Sequence, residues 1–170
     1  MIVSVKKLNE KAVLPFKKYE DDFCYDVVAV SEEQIAPNVW KYGIGLAFQI
    51  ERDDEVLIED ATNIFGAPTR TQSIIDMRRS PAKLSIDFRP RSSVWETGMI
   101  LSNCEGTIDE SYRGEVSAVF YHVMQNMPRY KVGDRIGQIK LGFTLPIEFV
   151  EVDELTETER NTKGYGSSGK

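Results

Sequence analysis

The chain has 170 residues, of which 41% are hydrophobic and 28% charged, and its formal net charge is −6. This composition is typical of one globular domain with a substantial core. The negative charge argues against binding to a long nucleic-acid backbone, since that function requires many basic side chains. No apolar stretch approaches the roughly 18 residues that span a bilayer, so we expect no transmembrane helix.

The N-terminal region and the cysteines indicate a cytoplasmic protein. The segment MIVSVKKLNEKAVLPF lacks the apolar core and small-residue cleavage site of a signal peptide. Cys24 and Cys104 lie in no metal-binding or redox pattern, and we expect both to be packed, reduced thiols. Because His122 is the one histidine of the sequence, a zinc site or a histidine-based triad is not expected.

Strand-like segments follow one another along most of the chain. They are rich in Val, Ile, Phe and Tyr and are separated by Gly, Pro, Asn or Asp, which favours β-strands. They are MIVSVKKL (1–8), YDVVAV (25–30), VWKYGIGLAFQI (39–50), AKLSIDFRP (82–90), GMILSN (98–103), GEVSAVFYHVM (114–124) and DRIGQIKLGFTLPIEFVEV (134–152). The best helix candidate, TQSIIDMRRS (71–80), is short. The pattern predicts an all-β fold, either a barrel or a jelly-roll-like sandwich.

Two regions differ from this pattern. Residues 51–80 are polar and charged, and we expect them to form an exposed insertion in a β-domain that spans 1–152. Such a segment is also a candidate surface for a protein partner. Residues 153–170 lose apolar side chains after Leu155 and end in glycines and serines, as flexible tails do.

Two stretches have the composition of a phosphate site. RPRSS (89–93) combines arginines and serines at a turn, where guanidinium, hydroxyl and backbone N–H groups can all point at one anion. An ordinary polar turn would have the same composition. In RNTKGYGSSGK (160–170) the glycines permit close approach of the backbone to a ligand, and Tyr165 offers a flat ring. A chance Gly/Ser-rich terminus is the alternative there.

The stretch EGTIDESYRGEV (105–116) places Asp109 close to Tyr112. A general base is a carboxylate held within reach of the proton that it removes, and a nearby aromatic ring can form one wall of a pocket for a sugar. A hairpin whose acidic residues face water is the alternative. GDRIGQ (133–138) adds Arg135 and Gln138 on a strand.

Taken together, five stretches resemble the ordered motifs of the trimeric dUTP pyrophosphatases (dUTPases). They are YDV (25–27), RPRSS (89–93), GTIDESYRGEV (106–116), GDRIGQIKL (133–141) and RNTKGYGSSG (160–169). Their order, their spacing and the C-terminal position of the last one match the family. The resemblance runs from about residue 20 to the C-terminus, and we expect it to leave out 51–80, which is longer than the family's usual connection.

The resemblance implies a jelly-roll-like, distorted β-barrel that assembles as a homotrimer. Each of three active sites would draw on all three subunits, and a flexible C-terminal arm would close over the nucleotide. The implied reaction is hydrolysis of dUTP to dUMP and pyrophosphate by attack of water at the α-phosphorus, with Mg²⁺ bound mainly by the triphosphate and water. This activity keeps uracil out of DNA and supplies dUMP for dTMP synthesis.

The resemblance also implies roles for single residues. Asp109 is the general base, Gln138 helps to hold the attacking water, and Ser92 contacts the region beside the leaving pyrophosphate. Tyr112 packs on the deoxyribose, and Asp26 contacts a metal-bound water. The implied substrate-binding residues are Arg91, Ser93, Asn103, Gly106, Ile108, Tyr112, Arg160, Tyr165, Gly166, Ser167 and Ser168.

Two other functions stay open on the sequence alone. The dCTP deaminases share the fold and similar motifs, but Val119 lies where those enzymes carry a catalytic glutamate. A non-catalytic, dUTPase-like regulatory protein is the second alternative. The presence of the whole catalytic set argues against it, because degenerate copies usually lose some of these residues.

Overall fold

The computed structural model of the chain describes residues 2–52, 56–58, 73–75 and 82–163. Within these ranges the regular structure consists of twelve β-strands and one 3₁₀ helix, Ser92–Thr97. The strands are β1 (Ile2–Lys7), β2 (Tyr25–Val28), β3 (Ser31–Ala36), β4 (Val39–Gly43), β5 (Leu46–Glu51), β6 (Val56–Ile58), β7 (Ser73–Ile75), β8 (Lys83–Arg89), β9 (Met99–Leu101), β10 (Gly106–Asp109), β11 (Ser117–His122) and β12 (Arg135–Thr144). None of the described residues belongs to a helix long and apolar enough to cross a membrane.

Two four-stranded antiparallel sheets form the body of the fold. Their strand orders are β10–β8–β12–β2 and β3–β4–β11–β9, while β1 pairs with β5 and β6 with β7. Both four-stranded sheets contribute to one hydrophobic core, in which Tyr42, Phe120 and Ile136 are completely buried. The all-β fold predicted from the apolar segments is confirmed, and so is the jelly-roll-like barrel that the resemblance implies.

Aromatic rings join the two sheets across this core. Tyr42, Phe88, Phe120 and Tyr130 contact one another edge to face, with ring centroids 5.5 to 6.4 Å apart. The Tyr42 hydroxyl donates to the Tyr130 carbonyl at 2.9 Å, which satisfies a polar group that burial would otherwise destabilise. Phe88 directly precedes the RPRSS stretch, so these core contacts also fix where that stretch begins.

The structure differs from the predicted elements in several places. The strand predicted over 134–152 ends at Thr144 of β12, and residues 145–152, which include Pro146, are exposed and form no strand. Strand β6 lies in a segment for which no strand was predicted.

The segment 39–50 divides into β4 and β5 at Gly45, whose φ of 67° suits glycine. Strand β3 was not predicted, because its sequence SEEQIA is polar and mostly exposed. The helix candidate 71–80 is wrong for 73–75, which form β7; its other residues lie outside the described ranges.

One face of the β10–β8–β12–β2 sheet points away from the core, and we call it the outer face. Paired residues of neighbouring strands share a face, so the register defines three rows of side chains on it. The rows are Asp109–Ser85–Gly142, Thr107–Asp87–Lys140 and Arg89–Gln138–Asp26; all three include a residue of β12, and the third continues across it to β2. The residues that alternate with them on β8, Leu84, Ile86 and Phe88, belong to the core. Asp109 and Gln138 therefore lie on the same outer face, but in different rows.

Candidate active site

A cleft of about 360 Å³ lies at one end of the outer face. We call it the arginine cleft, because Arg91 and Arg135 both bind the carboxylate of Asp26 in its wall. Arg91 Nε lies 3.1 Å from Oδ1 and Arg135 Nη1 lies 2.9 Å from Oδ2. The cleft is lined by Phe16, Lys18, Tyr19, Asp22, Phe23, Cys24, Asp26, Arg91, Ser92, Arg135 and Gln138.

The charge of the arginine cleft suits an anion. Three basic side chains and two acidic ones line it, so the cleft is locally positive in a chain whose net charge is −6. Asp26, with its side chain 14% exposed, holds the two guanidinium groups together by charge-assisted hydrogen bonds. Arg91 and Arg135 both line the cleft, and a guanidinium group has more N–H donors than the one that each gives to Asp26.

The positions of Ser92 and Gln138 follow from tight backbone packing. Ser92 opens the 3₁₀ helix, which ends at Gly98 with a φ of 60°, and a Cβ on Gly98 would lie 2.7 Å from the Met124 carbonyl. Gly137 precedes Gln138, and a Cβ there would come within 2.2 Å of the Phe88 ring. Because these glycines permit the close approach, the Phe88 ring of the core limits the position of Gln138, and the Met124 backbone limits the end of the 3₁₀ helix that Ser92 begins.

The other end of the outer face carries the turn that follows β10. We call residues 106–117 the Asp109 hairpin, and a second cleft of about 220 Å³ opens in it. Asp109 is exposed and is the last residue of β10, and its carbonyl accepts the Tyr112 amide at 3.0 Å. Within the described residues, no hydrogen bond or ion pair reaches the Asp109 carboxylate, which leaves both oxygens available to solvent or substrate.

The Tyr112 ring lies in the same cleft and is held by its neighbours. Its hydroxyl donates to the Glu115 carbonyl at 3.1 Å. A Cβ on Gly114 would lie 2.3 Å from the Tyr112 hydroxyl oxygen, so the ring folds over the glycine backbone. With 48% of the residue exposed, Tyr112 presents a ring of fixed position to the Asp109 cleft.

Glu110 forms a contact with Arg52 that no sequence motif indicates. Arg52 donates to both carboxylate oxygens of Glu110, from Nε at 2.8 Å and from Nη2 at 2.7 Å. The hydrogen bond from Arg52 lowers the pKa of Glu110 against the opposing effect of burial, and the Leu84 backbone lowers it further. No sequence pattern relates residues 52 and 110, because only the tertiary fold brings them together.

A second ion pair lies between the two ends of the outer face. Lys140 Nζ lies 2.5 Å from Asp87 Oδ2, and Ser85 Oγ donates to the other oxygen at 2.8 Å. Burial by itself raises the pKa of Asp87, but the hydrogen bonds from Lys140 and Ser85 outweigh it and the pKa is lowered. Arg89, the first residue of RPRSS, pairs with Glu105 at 2.5 Å, which links that stretch to the residue before the Asp109 hairpin.

The remaining predicted residues lie outside these contacts. Asn103 is exposed beside Gly106, where β10 begins, and Ile108 is half-buried against the core. Ser93 is half-buried in the 3₁₀ helix. Arg160 lies in an exposed turn, with Nε 3.1 Å from the Lys163 carbonyl. The other predicted arm residues, Tyr165, Gly166, Ser167 and Ser168, lie outside the described ranges.

The cysteines are both free thiols, but they are not both packed. Cys24 is half-buried in the wall of the arginine cleft, and Cys104 is exposed. The expectation of a packed thiol is therefore wrong for Cys104, which lies in the turn between β9 and β10 with a φ of 59°.

The two clefts are far apart within one chain. Asp109 lies in the row of Gly142, two strands away, and Gln138 lies four residues along β12 from Gly142. Two strand spacings and four residue steps give a separation of about 16 Å between the Asp109 and Gln138 Cα atoms. The clefts share no lining residue, so one chain does not bring Asp109 together with Ser92 and Gln138.

Comparison with known proteins gives one consistent result. The sequence model of a family described as dUTPase matches residues 59–169. The deoxyuridine 5′-triphosphate nucleotidohydrolase of Nautilia profundicola is 30% identical over 172 residues, which cover 100% of each chain. The enzyme of the same name from Clostridium novyi is 31% identical over 171 residues, covering 99% of each.

Solved structures show the same fold. The Staphylococcus bacteriophage 80alpha dUTPase with dUPNHPP superimposes with a TM-score of 0.68 at 19% identity, covering 99% of this chain and 98% of that one. A dUTPase mutant from phage phi11 of S. aureus, described with a structural Mg(II) ion, gives a TM-score of 0.59 at 14% identity over 92% of this chain and 100% of that one. The expectation that the resemblance leaves out 51–80 is wrong from residue 59 onward, where the family match begins.

Proposed function

The chain belongs to the dUTPase family, and from this membership we propose that it hydrolyses dUTP to dUMP and pyrophosphate. One structural observation carries the proposal. The same sheet face presents at Asp109 an exposed carboxylate that no other described residue binds and, at its other end, a cleft in which two arginines, Ser92 and Gln138 converge. A water-activating base and a polyphosphate site are the two parts that this reaction requires.

The proposed mechanism uses Asp109 as the general base. Its carboxylate removes a proton from a water held with the help of Gln138, and the water oxygen attacks the α-phosphorus. The bond from this phosphorus to the oxygen that bridges it to the β-phosphate breaks, so dUMP and pyrophosphate leave. Arg91 and Ser92 bind the phosphates and stabilise the charge that moves onto the leaving group, and Asp26 keeps the Arg91 guanidinium in place.

Selection of the nucleotide is assigned to the Asp109 hairpin. The fixed Tyr112 ring would pack on the deoxyribose and leave no space for a 2′-OH, which excludes ribonucleotides. Asn103 and the backbone from Gly106 through Ile108 would contact the uracil edge, and their closeness would exclude the methyl group of thymine. In the C-terminal arm, Tyr165 would stack on uracil, and Arg160, Ser167 and Ser168 would bind the terminal phosphates, with Gly166 letting the backbone approach.

The separation of the two clefts supports an assembly with shared sites. Because Asp109 and Gln138 lie about 16 Å apart in one chain, a single water cannot contact both unless they come from different subunits. The protomer also exposes large apolar side chains at alternating positions near the end of β12 and beyond it. They are Phe143, Leu145, Ile147 and Phe149. We assign these to contacts in a homotrimer, in which each site combines residues of all three subunits.

Magnesium is proposed as the cofactor. Among the described residues no three acidic, histidine or cysteine side chains come together as ligands for a metal, so the ion would be bound by the triphosphate and water. Both oxygens of Asp26 already accept from arginines, and their remaining lone pairs would accept from a metal-bound water. When bound, Mg²⁺ neutralises phosphate charge, and it commonly keeps several waters. The cytoplasmic location and a protein partner at 51–80 stay predictions.

The dCTP deaminase alternative finds no support in the structure. Val119 is half-buried in β11, paired with Lys41 of β4, and lies on a different sheet from Asp109 and Gln138. A catalytic glutamate is therefore missing where a deaminase would need one for proton transfer.

Pyrophosphate release with Mg²⁺ present tests the function. We expect release from dUTP and much slower release from dTTP, dCTP and UTP. Asp109→Asn should abolish it, whereas Glu33→Gln, an exposed acidic residue of β3 away from both clefts, should not. Slow release from every nucleotide by the folded, assembled protein would contradict the proposal and would favour a regulatory protein that kept the fold.

A further inference from the structure

Glu110 directly follows Asp109, and its carboxylate connects the turn after β10 to two parts of the chain that are distant in sequence. Arg52 grips its carboxylate with two parallel hydrogen bonds of 2.8 and 2.7 Å, the strongest arrangement of an arginine and a carboxylate. The same guanidinium donates from Nη2 to the Ala82 carbonyl at 2.8 Å. The Leu84 amide donates to Glu110 Oε2 at 3.3 Å. One carboxylate therefore joins the turn to the end of β5 and to the start of β8.

The backbone of Glu110 is anchored as well as its side chain. Arg113 Nη1 donates to the Glu110 carbonyl at 2.7 Å, and the Tyr112 amide closes the turn on the Asp109 carbonyl. These contacts matter because, among the described strands, β10 lies at the edge of its sheet and pairs with β8 alone. Since no described side chain binds the Asp109 carboxylate, the backbone alone determines where that carboxylate lies.

We propose that the Arg52–Glu110 pair positions Asp109 for catalysis, an inference that rests on the proposed hydrolysis of dUTP. A general base must lie within hydrogen-bond distance of the water that it activates, and a misplacement of about 1 Å can lower the rate about 100-fold. Without the pair, the turn directly after Asp109 would keep its short-range hydrogen bonds, and its nearest long-range contact would be the Gly45 amide on Glu115, five residues after Glu110 along the chain. The arginine cleft, about 16 Å away in the same chain, would bind the triphosphate as before.

The chain contains a closely matched pair that serves as a control. Arg129 also grips a glutamate, Glu32, with two hydrogen bonds, of 3.0 and 3.2 Å. It also donates to a backbone carbonyl, that of Tyr130, at 3.0 Å. The side chains of Arg129 and Glu32 are 18% and 26% exposed, against 17% and 27% for Arg52 and Glu110. The two pairs thus have similar ion-pair geometry and burial, although Arg129 also stacks on the Trp40 ring, 3.6 Å from its centroid, and only the Arg52–Glu110 pair adjoins the proposed base.

The test compares kcat and KM for dUTP in single and double alanine variants of both pairs. For Arg52→Ala and Glu110→Ala in the assembled protein, we expect kcat to fall about 10- to 100-fold with KM changed less than about three-fold. The double variant should be no slower than the slower single variant, because both changes remove the same contact. Arg129→Ala and Glu32→Ala should lower the thermal midpoint by a similar amount and leave kcat within about two-fold.

Arg52→Lys keeps the charge but loses the two parallel hydrogen bonds. This variant replaces Arg52→Ala in the test if the alanine variants do not assemble. It should lower kcat to a smaller extent than Arg52→Ala. Hydrogen exchange gives a readout besides activity: exchange of the Tyr112 amide should accelerate in Glu110→Ala and stay unchanged in Glu32→Ala. Unchanged kcat in the Arg52 and Glu110 variants, or an equal loss from both pairs, would overturn the inference. A wild type that releases no pyrophosphate from dUTP would instead overturn the proposed function, and the positioning role with it.

Discussion

The two ends of the outer face are built in opposite ways. At the arginine cleft, Gln138 lies on a strand that pairs on both sides, with β8 and with β2. There Asp26 is mostly buried and binds two arginines. Asp109, in contrast, ends an edge strand, is exposed, and has a carboxylate with no partner among the described residues.

The roles proposed for the two ends account for this difference. Attraction between an arginine and a phosphate falls slowly with distance, so a cleft of preset charges tolerates small displacements. Proton transfer requires hydrogen-bond distance, so the base must be placed accurately. An exposed base on an edge strand therefore depends on contacts that hold its backbone in place. Arg52 provides one such contact through its hydrogen bonds to Glu110.

The largest expected effect comes from the base itself. Asp109→Asn keeps the size of the side chain but cannot accept a proton, and we expect kcat to fall about 10²- to 10⁴-fold. At the other end, Arg91→Lys keeps the charge and loses the fork geometry, which should cost about ten-fold or less. Pyrophosphate release measures both. Equal losses of kcat from the two substitutions would contradict the view that the base depends on exact placement and the arginine cleft on charge.

The next effect concerns stability at the arginine cleft. In Gly137→Ala the new methyl group would overlap the Phe88 ring, at 2.2 Å, and would crowd the Arg89 carbonyl, at 2.8 Å. Because a core ring and backbone must move, we expect the free energy of unfolding to fall by about 1–3 kcal/mol. Urea denaturation measures it. A change below the error of that measurement would show that the cleft is less tightly packed than its contacts indicate.

The same substitution at the Asp109 hairpin should act differently. In Gly114→Ala the methyl group would meet the Tyr112 hydroxyl, at 2.3 Å, and would break its hydrogen bond to the Glu115 carbonyl, so the ring that this bond holds in the wild type would move into solvent. We expect stability to change by less than about 1 kcal/mol, while the ratio of kcat/KM for dUTP over UTP falls as the ring leaves the sugar. An unchanged ratio would argue that Tyr112 does not select the sugar.

The smallest effect is the response of stability to acid. The pKa of Glu110 is lowered by Arg52, and that of Asp87 is lowered by Lys140 and Ser85 despite burial. A carboxyl with a lowered folded pKa stabilises the fold above its ordinary value, here 4.5 for Glu110 and 3.8 for Asp87. That contribution is lost as the pH falls through the folded pKa.

Unfolding measured from pH 7 downward should therefore show constant support from these two groups until about pH 5, and a loss below it. In Arg52→Met the loss attributable to Glu110 should be smaller, since the pKa of Glu110 is no longer held down. An identical acid profile in Arg52→Met and wild type would contradict the assigned cause.

The sequence predicts the residues of the arginine cleft better than it predicts the Arg52–Glu110 contact beside Asp109. Arg91, Ser92 and Gln138 lie within short motifs whose residue types match their chemistry, and the structure brings them together with Asp26. Asp109 was singled out because it lies close to a tyrosine in a predicted turn; its role as the base comes from the resemblance and stays a prediction.

Other features depend on the tertiary fold and left no local signal. The Arg52–Glu110 contact joins residues 58 positions apart, so no spacing rule relates them. Strand β3 was missed because its polar residues face solvent at the edge of a sheet and show no apolar alternation. The division of roles between the two clefts was equally hidden, since it follows from strand register.

Mixing two inactive variants tests most directly whether the two clefts combine across subunits. One variant is Asp109→Asn, and the other carries Arg91→Ala and Gln138→Ala. Random co-assembly of equal amounts should restore about one quarter of wild-type activity, since each required half of a site comes from an intact chain half of the time. As a control, wild type mixed with a chain carrying all three changes should also retain about one quarter, rather than one half. No recovery in the first mixture, with one half retained in the second, would show that the site lies within one chain and would contradict the account.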